Sequence, residues 1–94
     1  MEDYDFRYLS DFRYLLDLKE NKIIILNEKE DEILRKFLIY KTIKKNDFIK
    51  LADAKNIINA RVIKARFCKK TDIKIKTKAG VGYKLESSID VVGG

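Results

Sequence analysis

The period of the hydrophobic pattern changes twice along this chain, and this change constrains the fold more than any other sequence feature. Before residue 27, apolar residues such as Tyr4, Phe6 and Tyr8 alternate with polar ones, which is typical of half-buried strands. Helical spacing follows to about residue 70, and alternation then returns. A chain of 94 residues has room for one modest core. The pattern therefore predicts a single α+β domain spanning residues 1–94.

Three helices are expected in the middle of the chain, and two of them begin near residues that can cap them. Asn27, with Glu30 three residues later, has the spacing of a capping box. Asn46 and Asp47 offer a cap for a second, shorter helix. The expected bounds of the N-terminal antiparallel strands and of the three helices are about residues 4–26, 28–41, 46–53 and 55–70.

The third helix and the residues after it complete the expected domain. Ile58, Val62 and Ala65 lie at helical spacing and are expected to face the core. A β-hairpin is expected over about residues 73–86, because isoleucines alternate with lysines there and two glycines follow in the turn region. Residues 90–94 are expected to be a frayed end or a remnant of cloning.

Charge is divided unevenly between the two halves of the chain. Residues 1–40 hold 7 Lys/Arg and 10 Asp/Glu, whereas residues 41–94 hold 14 and 5. The net charge of +6 therefore comes from the second half. A basic region attached to an acidic support favours a polyanionic partner. Lysine enrichment in a biased genome is the alternative, and it would require no partner.

The basic residues concentrate on the third helix and the hairpin. The helix has no acidic residue and carries five cations: Arg61, Lys64, Arg66, Lys69 and Lys70. Three lysines at alternate positions share one face of the first hairpin strand: Lys74, Lys76 and Lys78. A helix fits the major groove, and a basic loop can enter the minor groove beside it. Together the two elements predict nucleic-acid contact, with a solvated helix face and a protected sheet edge as the alternatives.

The sequence gives little support to catalysis or to membrane insertion. The chain has no histidine, and Cys68, the single cysteine, is better explained as a small packed hydrophobe than as a redox thiol. The acidic residues that follow Asn27 suit the dipole of a helix start better than a metal site. No apolar run approaches the ~20 residues that span a bilayer. We therefore expect a cytoplasmic protein that is not an enzyme and that needs no cofactor or metal.

Two segments resemble the OmpR/PhoB-type winged-helix effector domains of two-component systems. Residues 75–85 are similar to the family's wing signature, Ile-x-Thr-Val-Arg-Gly-Val-Gly-Tyr-x-Leu. Residues 58–66 are similar to its recognition helix, Val-Asp-Val-His-Ile-x-Arg-Leu-Arg. Asn27 to Glu30 falls where the family opens its first helix. The resemblance covers about residues 12–86 in the same order.

The resemblance implies a winged helix-turn-helix regulator of transcription that binds double-stranded DNA. Its recognition helix would enter the major groove and its β-hairpin wing would lie on the minor groove. On the helix it implies groove contacts from Asn59, Arg61 and Lys64, with Arg66 on a phosphate or in a structural ion pair. Lys69 is a further candidate contact with DNA. In the wing it implies Thr77, Lys78 and Tyr83, the last either packing behind the others or touching a phosphate. A homodimer on paired half-sites is a further expectation.

Three departures from the family pattern change what the resemblance implies. The wing arginine is here Ala79, so minor-groove reading is expected to weaken or to pass to Lys78. Ala60 and Ala65 stand where bulkier residues are usual, so the packing beneath the helix must differ. The loop between the second and third helices is shorter than the family's loop, which contacts RNA polymerase, so that contact is doubtful here. A receiver domain usually precedes such a domain, so we expect an excised effector domain or a free-standing regulator.

The rival hypothesis is a winged helix that serves protein–protein interaction or dimerisation without sequence-specific DNA binding. Its partner surface would come from aromatic residues near the N-terminus: Tyr4, Phe6, Tyr8, Phe12 and Tyr14. RNA binding is less supported, because stacking aromatic residues are scarce among the cations and Phe67 is the main candidate.

Overall fold

The computed structural model describes residues 3–93 and consists of three helices and two sheets. In chain order the elements are β1 (Phe6–Leu9), β2 (Tyr14–Asp17), β3 (Lys22–Ile25), α1 (Glu28–Tyr40), β4 (Thr42–Ile43), α2 (Lys45–Leu51), α3 (Ile57–Thr71), β5 (Ile75–Lys78), β6 (Gly82–Leu85) and β7 (Ile89–Val92). The α+β order of N-terminal strands, three helices and a C-terminal hairpin is the one that the hydrophobic periods predict.

The strands form two separate sheets. The four-stranded sheet has the order β3-β2-β1-β7, in which β1 pairs antiparallel with β2 and parallel with β7. The three-stranded sheet has the order β4-β6-β5 and is antiparallel throughout. The hairpin formed by β5 and β6 is called the wing below. It therefore carries a third strand, β4, on the side of β6.

Helix α1 begins with the predicted capping box. The Asn27 side chain accepts a hydrogen bond from the Glu30 backbone N–H at 2.8 Å, and the Glu30 carboxylate accepts one from the Asn27 N–H, also at 2.8 Å. These two bonds satisfy N–H groups that a helix start otherwise leaves without partners. The helix then buries Ile33, Leu34 and Phe37 against the rest of the core.

A buried polar network attaches α1 to the four-stranded sheet. The Tyr8 hydroxyl of β1 donates a hydrogen bond to the buried Asp31 carboxylate. The Arg35 guanidinium lies 2.7 Å from the same carboxylate and also donates to the Ser10 carbonyl at 2.9 Å. Burial raises the pKa of the Tyr8 hydroxyl above its ordinary value, and the hydrogen bond to Asp31 adds to the rise.

An aromatic cluster joins the helices to the wing. The Phe37 and Phe48 rings lie 6.1 Å apart, and the Phe48 ring meets the Tyr83 ring edge-on at 5.0 Å. These three side chains come from α1, α2 and β6, and all are buried. The position of the wing is therefore fixed by the same core that holds the helices.

The start of α2 differs from the expectation. The helix begins at Lys45, its N-cap is Lys44, and no side chain caps it. Asp47 lies instead in the first turn, where its charge suits the helix dipole. The helix therefore begins one residue before the polar pair Asn46–Asp47, and neither of these side chains caps it.

The expected inward stripe of α3 is wrong. Ile58 and Val62 are 68% and 41% exposed, and Ala65 is exposed as well. The buried positions are Ala60, Phe67 and Thr71, with Ile63 packed partly against the core. Phe67 is the largest apolar side chain of the helix, so its burial decides which face turns inward. Ala60 lies two turns before Phe67 on the same side of the helix, and its small side chain lets the helix pack closely on the core.

The C-terminal residues are also ordered where fraying was expected. Strand β7 pairs in parallel with β1, and the Arg7 and Asp90 side chains form a salt bridge at 3.0 Å across the pair. The Asp5 and Phe6 N–H groups donate to the Ser88 carbonyl at the start of the pairing. Residue 94 lies outside the described residues.

Candidate nucleic-acid interface

The outward face of α3 follows directly from its inward one. Because the helix turns Ala60 and Phe67 towards the core, the positions on its opposite side face solvent. The exposed side chains at i, i+3, i+4, i+7 and i+11 are Ile58, Arg61, Val62, Ala65 and Lys69. This face combines cations with short apolar side chains, and Arg61 lies between the two β-branched residues. The sequence pattern had assigned Ile58 and Val62 to the core, so their place in this surface was missed.

Asn59 has a different position from the cations of α3. Its side-chain oxygen accepts a hydrogen bond from the Lys55 backbone N–H at 3.2 Å, and its own backbone N–H donates to the Asn56 side chain at 2.9 Å. The two asparagines thus close the first turn of the helix. Asn59 is half-buried and contributes to the helix start rather than to the centre of the exposed face.

Lys64 joins α3 to the wing. Its Nζ lies 5.4 Å from the centre of the Tyr83 ring, in cation–π geometry, and the side chain is half-buried. One turn further along, the Cys68 side chain lies against the backbone of Ile75 in β5, and burial raises the pKa of the Cys68 thiol. These two contacts make α3 and the wing neighbours on the surface of the molecule.

The two faces of the wing have different chemistry. Thr77 pairs with Tyr83 in the strand register and therefore shares the face that meets α3. Lys76 pairs with Lys84, so the wing lysines occupy the opposite face together with Lys78. The expectation that alternate lysines share a face fits this register. The structure therefore brings Thr77 beside α3 and directs the lysines away from it.

The loop that joins the two wing strands has one position that only glycine can occupy. A Cβ on Gly82 would lie 2.2 Å from the Ile43 carbonyl oxygen, and its φ is +143°. The close approach of the β4 backbone therefore requires glycine there. Ala79, Gly80 and Val81 form the exposed tip of the loop.

Tyr83 lies beneath this surface rather than on it. Its side chain is 1% exposed, and among the described residues its hydroxyl has no hydrogen-bond partner. A buried hydroxyl without a partner carries a desolvation cost. In the described conformation Tyr83 supports Lys64 and packs on Phe48.

Most cations of α3 and the wing make no ion pair with another described residue. Within residues 3–93, salt bridges to Asp or Glu involve one basic residue of α3, Lys70, which lies 2.7 Å from Glu30. The other basic side chains of α3 and the wing are without such partners: Arg61, Lys64, Arg66, Lys69, Lys76, Lys78 and Lys84. They form a field of uncompensated positive charge.

Residues 3–93 form neither a metal site nor a membrane-spanning helix. No group of three or more His, Cys, Asp or Glu side chains within that range could hold a metal ion. No helix formed by those residues is long and apolar enough to cross a membrane.

The arrangement of α2 and α3 before a β-hairpin, resting on an N-terminal sheet, defines a winged-helix domain. Among solved structures, the chain is similar to the DNA-binding domain of Bacillus subtilis CssR, with 25% sequence identity and a TM-score of 0.64. The alignment covers 86% of this chain and 99% of the other. This likeness confirms the winged-helix fold and the resemblance drawn from the wing and helix motifs. No family model matches the sequence, and no curated protein matches it either.

Proposed function

We propose that this protein is a cytoplasmic regulator of transcription that binds double-stranded DNA with α3 in the major groove and the wing on the minor groove. The observation that carries the proposal is the unpaired positive charge of α3 beside a wing that contacts the same helix through Lys64 and Tyr83. The likeness to a DNA-binding domain supports it. An enzymatic role has no comparable support.

Base recognition is assigned to the centre of the exposed face of α3. Arg61 can donate two hydrogen bonds to a guanine edge. Ile58 and Val62, on either side of it, can pack on thymine methyl groups, which polar side chains recognise poorly. The expected reader Asn59 retains its amide donors, while its oxygen holds the helix start. The preferred site therefore combines a guanine with flanking thymines.

Phosphate contact is assigned to the cations around this centre. Lys64, Arg66 and Lys69 lie along α3, Lys78 lies next to the wing tip, and the Thr77 hydroxyl lies on the other face of the wing, which is the one nearer to α3. Neutralising phosphates releases counterions, so affinity should fall linearly on a logarithmic salt scale. Tyr83 acts from below, by holding Lys64 in place. Because residues 52–56 form only a short connection between α2 and α3, contact with RNA polymerase through this loop is not part of the proposal.

The test is a fluorescence titration of the chain with random duplex pools at two salt concentrations. Binding that weakens steeply with salt, followed by enrichment of a sequence class, is the expected result. No binding at low salt would contradict the proposal. Binding without any sequence enrichment would remove the assignment of Arg61, Ile58 and Val62 while leaving the phosphate contacts.

The second candidate function is protein interaction or dimerisation without sequence-specific DNA binding. The observation that favours it is the exposure of Phe12, which stacks on the half-buried Tyr14 at 5.8 Å. Phe6 and Tyr8 are buried and cannot contribute to such a surface. Unchanged binding by Lys64→Glu in every assay would favour this function. The two functions are compatible if a dimer binds paired half-sites.

A further inference from the structure

The outer face of the four-stranded sheet is apolar, and no described residue covers it. The strand registers align Ile25, Tyr14, Leu9 and Val92 in one row across all four strands. The inner face of the same sheet carries the core residues Phe6, Tyr8, Leu15 and Ile24. An antiparallel sheet with one face in water normally places polar residues there. In this sheet most side chains are apolar on both faces.

The apolar character of this outer face extends beyond one row. Ile23 and Leu16 pair in the neighbouring row, and both Ile23 and Ile25 are 65% exposed. Phe12 extends the surface by stacking on Tyr14. Contiguous apolar patches on a protein surface mark interaction sites. The largest apolar area that a partner could bury on this face therefore belongs to Ile23, Ile25 and Phe12.

The charges on this face are balanced, in contrast to the rest of the domain. The row of Ile23 and Leu16 ends in Arg7 and Asp90, which lie 3.0 Å apart and remain partly exposed. The face thus offers one cation and one anion, side by side. A strongly charged partner would find no net opposite charge there.

We infer that a second copy of this chain covers the outer face of the four-stranded sheet in a two-fold symmetric dimer. A two-fold contact brings the same surface of both subunits together, so it requires a surface that complements itself. An apolar face with one Arg and one Asp meets this requirement, since Arg7 of each copy can pair with Asp90 of the other. The basic surface of α3 and the wing would repel its own copy instead.

The size of the face indicates a weak dimer. Four strands of four residues span about 19 by 14 Å, or roughly 270 Å² in projection. Specific stable complexes bury about 800 Å² per partner, so this contact belongs among weak and transient interfaces. Insofar as the DNA function proposed above holds, the two-fold contact also predicts that paired half-sites form an inverted repeat.

The first test is sedimentation equilibrium of the full chain without DNA, up to millimolar concentration. Ile25→Lys is compared with Ile39→Lys, because Ile39 of α1 is exposed to the same extent, 66%, but lies off the sheet. We expect self-association that weakens at least about tenfold in Ile25→Lys and is retained in Ile39→Lys. A monomer at all concentrations, or equal behaviour of the two variants, would overturn the inference. Circular dichroism checks that both variants fold.

The second test exchanges the charges of the face between copies. Arg7→Glu leaves two anions on the face and Asp90→Arg leaves two cations, so each variant should associate more weakly with itself than the unsubstituted chain. An equimolar mixture should associate more strongly than either variant alone, because every cation again meets an anion. A mixture no stronger than its components would contradict the two-fold contact. Both measurements are made without DNA, so their outcome is independent of the DNA proposal.

Discussion

The four-stranded sheet with α1 and the unit formed by α3 with the wing use their cations in opposite ways. In the first region, five of the seven cations lie within 4.0 Å of a carboxylate, namely Arg7, Lys19, Lys22, Lys29 and Arg35, and Arg13 and Lys36 do not. In the second, Lys70 alone among the described residues does so, and its partner belongs to α1. A cation paired with a carboxylate adds little to the net field of the surface, whereas an unpaired cation keeps its field. The comparison separates cations that hold the fold from cations available to a polyanion.

The apolar side chains that these two regions expose differ in the same way. On the sheet they are contiguous and border one balanced ion pair. On α3, Ile58 and Val62 are separated by Arg61 and bordered by lysines. A continuous neutral patch suits another protein surface, whereas apolar side chains between cations suit a groove lined by phosphates and thymine methyl groups.

The largest expected effect is on stability and concerns the region of paired cations, the four-stranded sheet with α1. Asp31→Ala removes the carboxylate that holds both the Tyr8 hydroxyl and Arg35. We expect the free energy of unfolding to fall by roughly 2–4 kcal/mol, since a buried hydroxyl and a cation lose their partner. Urea unfolding measures it, with Glu20→Ala, an exposed carboxylate of a turn, as the control. A loss below that of the control would show that this network does not hold the sheet to α1.

In the region of unpaired cations, α3 with the wing, Arg61→Ala should weaken DNA binding and leave the stability of the fold unchanged. We expect a loss of roughly 1–3 kcal/mol in affinity for the preferred duplex and a much smaller loss for others. Lys36→Ala removes the same charge from the exposed side of α1 and is the control for a purely electrostatic effect. The two variants should unfold within about 0.5 kcal/mol of the unsubstituted chain. Equal affinity losses in both would remove the distinction between the regions.

The buried hydroxyl beneath Lys64 gives a smaller effect of the opposite sign. Tyr83→Phe removes a hydroxyl that has no partner among the described residues, so the free energy of unfolding should rise by about 1 kcal/mol. Thermal or urea unfolding measures the change. A marked destabilisation would instead mean that the hydroxyl is hydrogen-bonded in the folded chain.

The smallest effect concerns a single phosphate contact. Lys78→Ala should weaken binding to all duplexes by a similar factor and lower the slope of log affinity against log salt by about 1. Lys19→Ala, which removes an exposed lysine that pairs with Asp5 at 2.8 Å, should leave the slope unchanged. A sequence-dependent effect of Lys78→Ala would mean that the wing reads bases after all.

Local chemistry made part of this structure predictable from the sequence. The capping box at Asn27 needs only residues three apart, and the wing needs only alternation and glycines at its turn. The cations of α3 could be named for the same reason, because a helix without acidic residues leaves most of them unpaired. The position of Thr77 on the same side of the molecule as α3 could not be predicted, because it depends on the strand register of the wing.

The parts that could not be predicted depend on distant contacts. Ile58 and Val62 have the spacing of a core stripe, but burial of Phe67 turns them outward. Strand β4 has only two residues and is too short to show a period, and β7 lies where a frayed end was expected. Each of them pairs with a strand that is distant in the sequence. The apolar outer face of the sheet likewise appears only once four separate strands are aligned.

The most direct test of the account is an amide chemical-shift map of the full chain titrated with its preferred duplex. We predict that the perturbed residues cluster at 58–69 in α3 and at 76–82 in the wing, while the sheet residues Arg7, Leu16 and Ile23 stay unperturbed by a duplex that carries a single half-site. Perturbations centred on the sheet, or none on α3, would contradict the claim that the unpaired cations of α3 and the wing form the DNA surface.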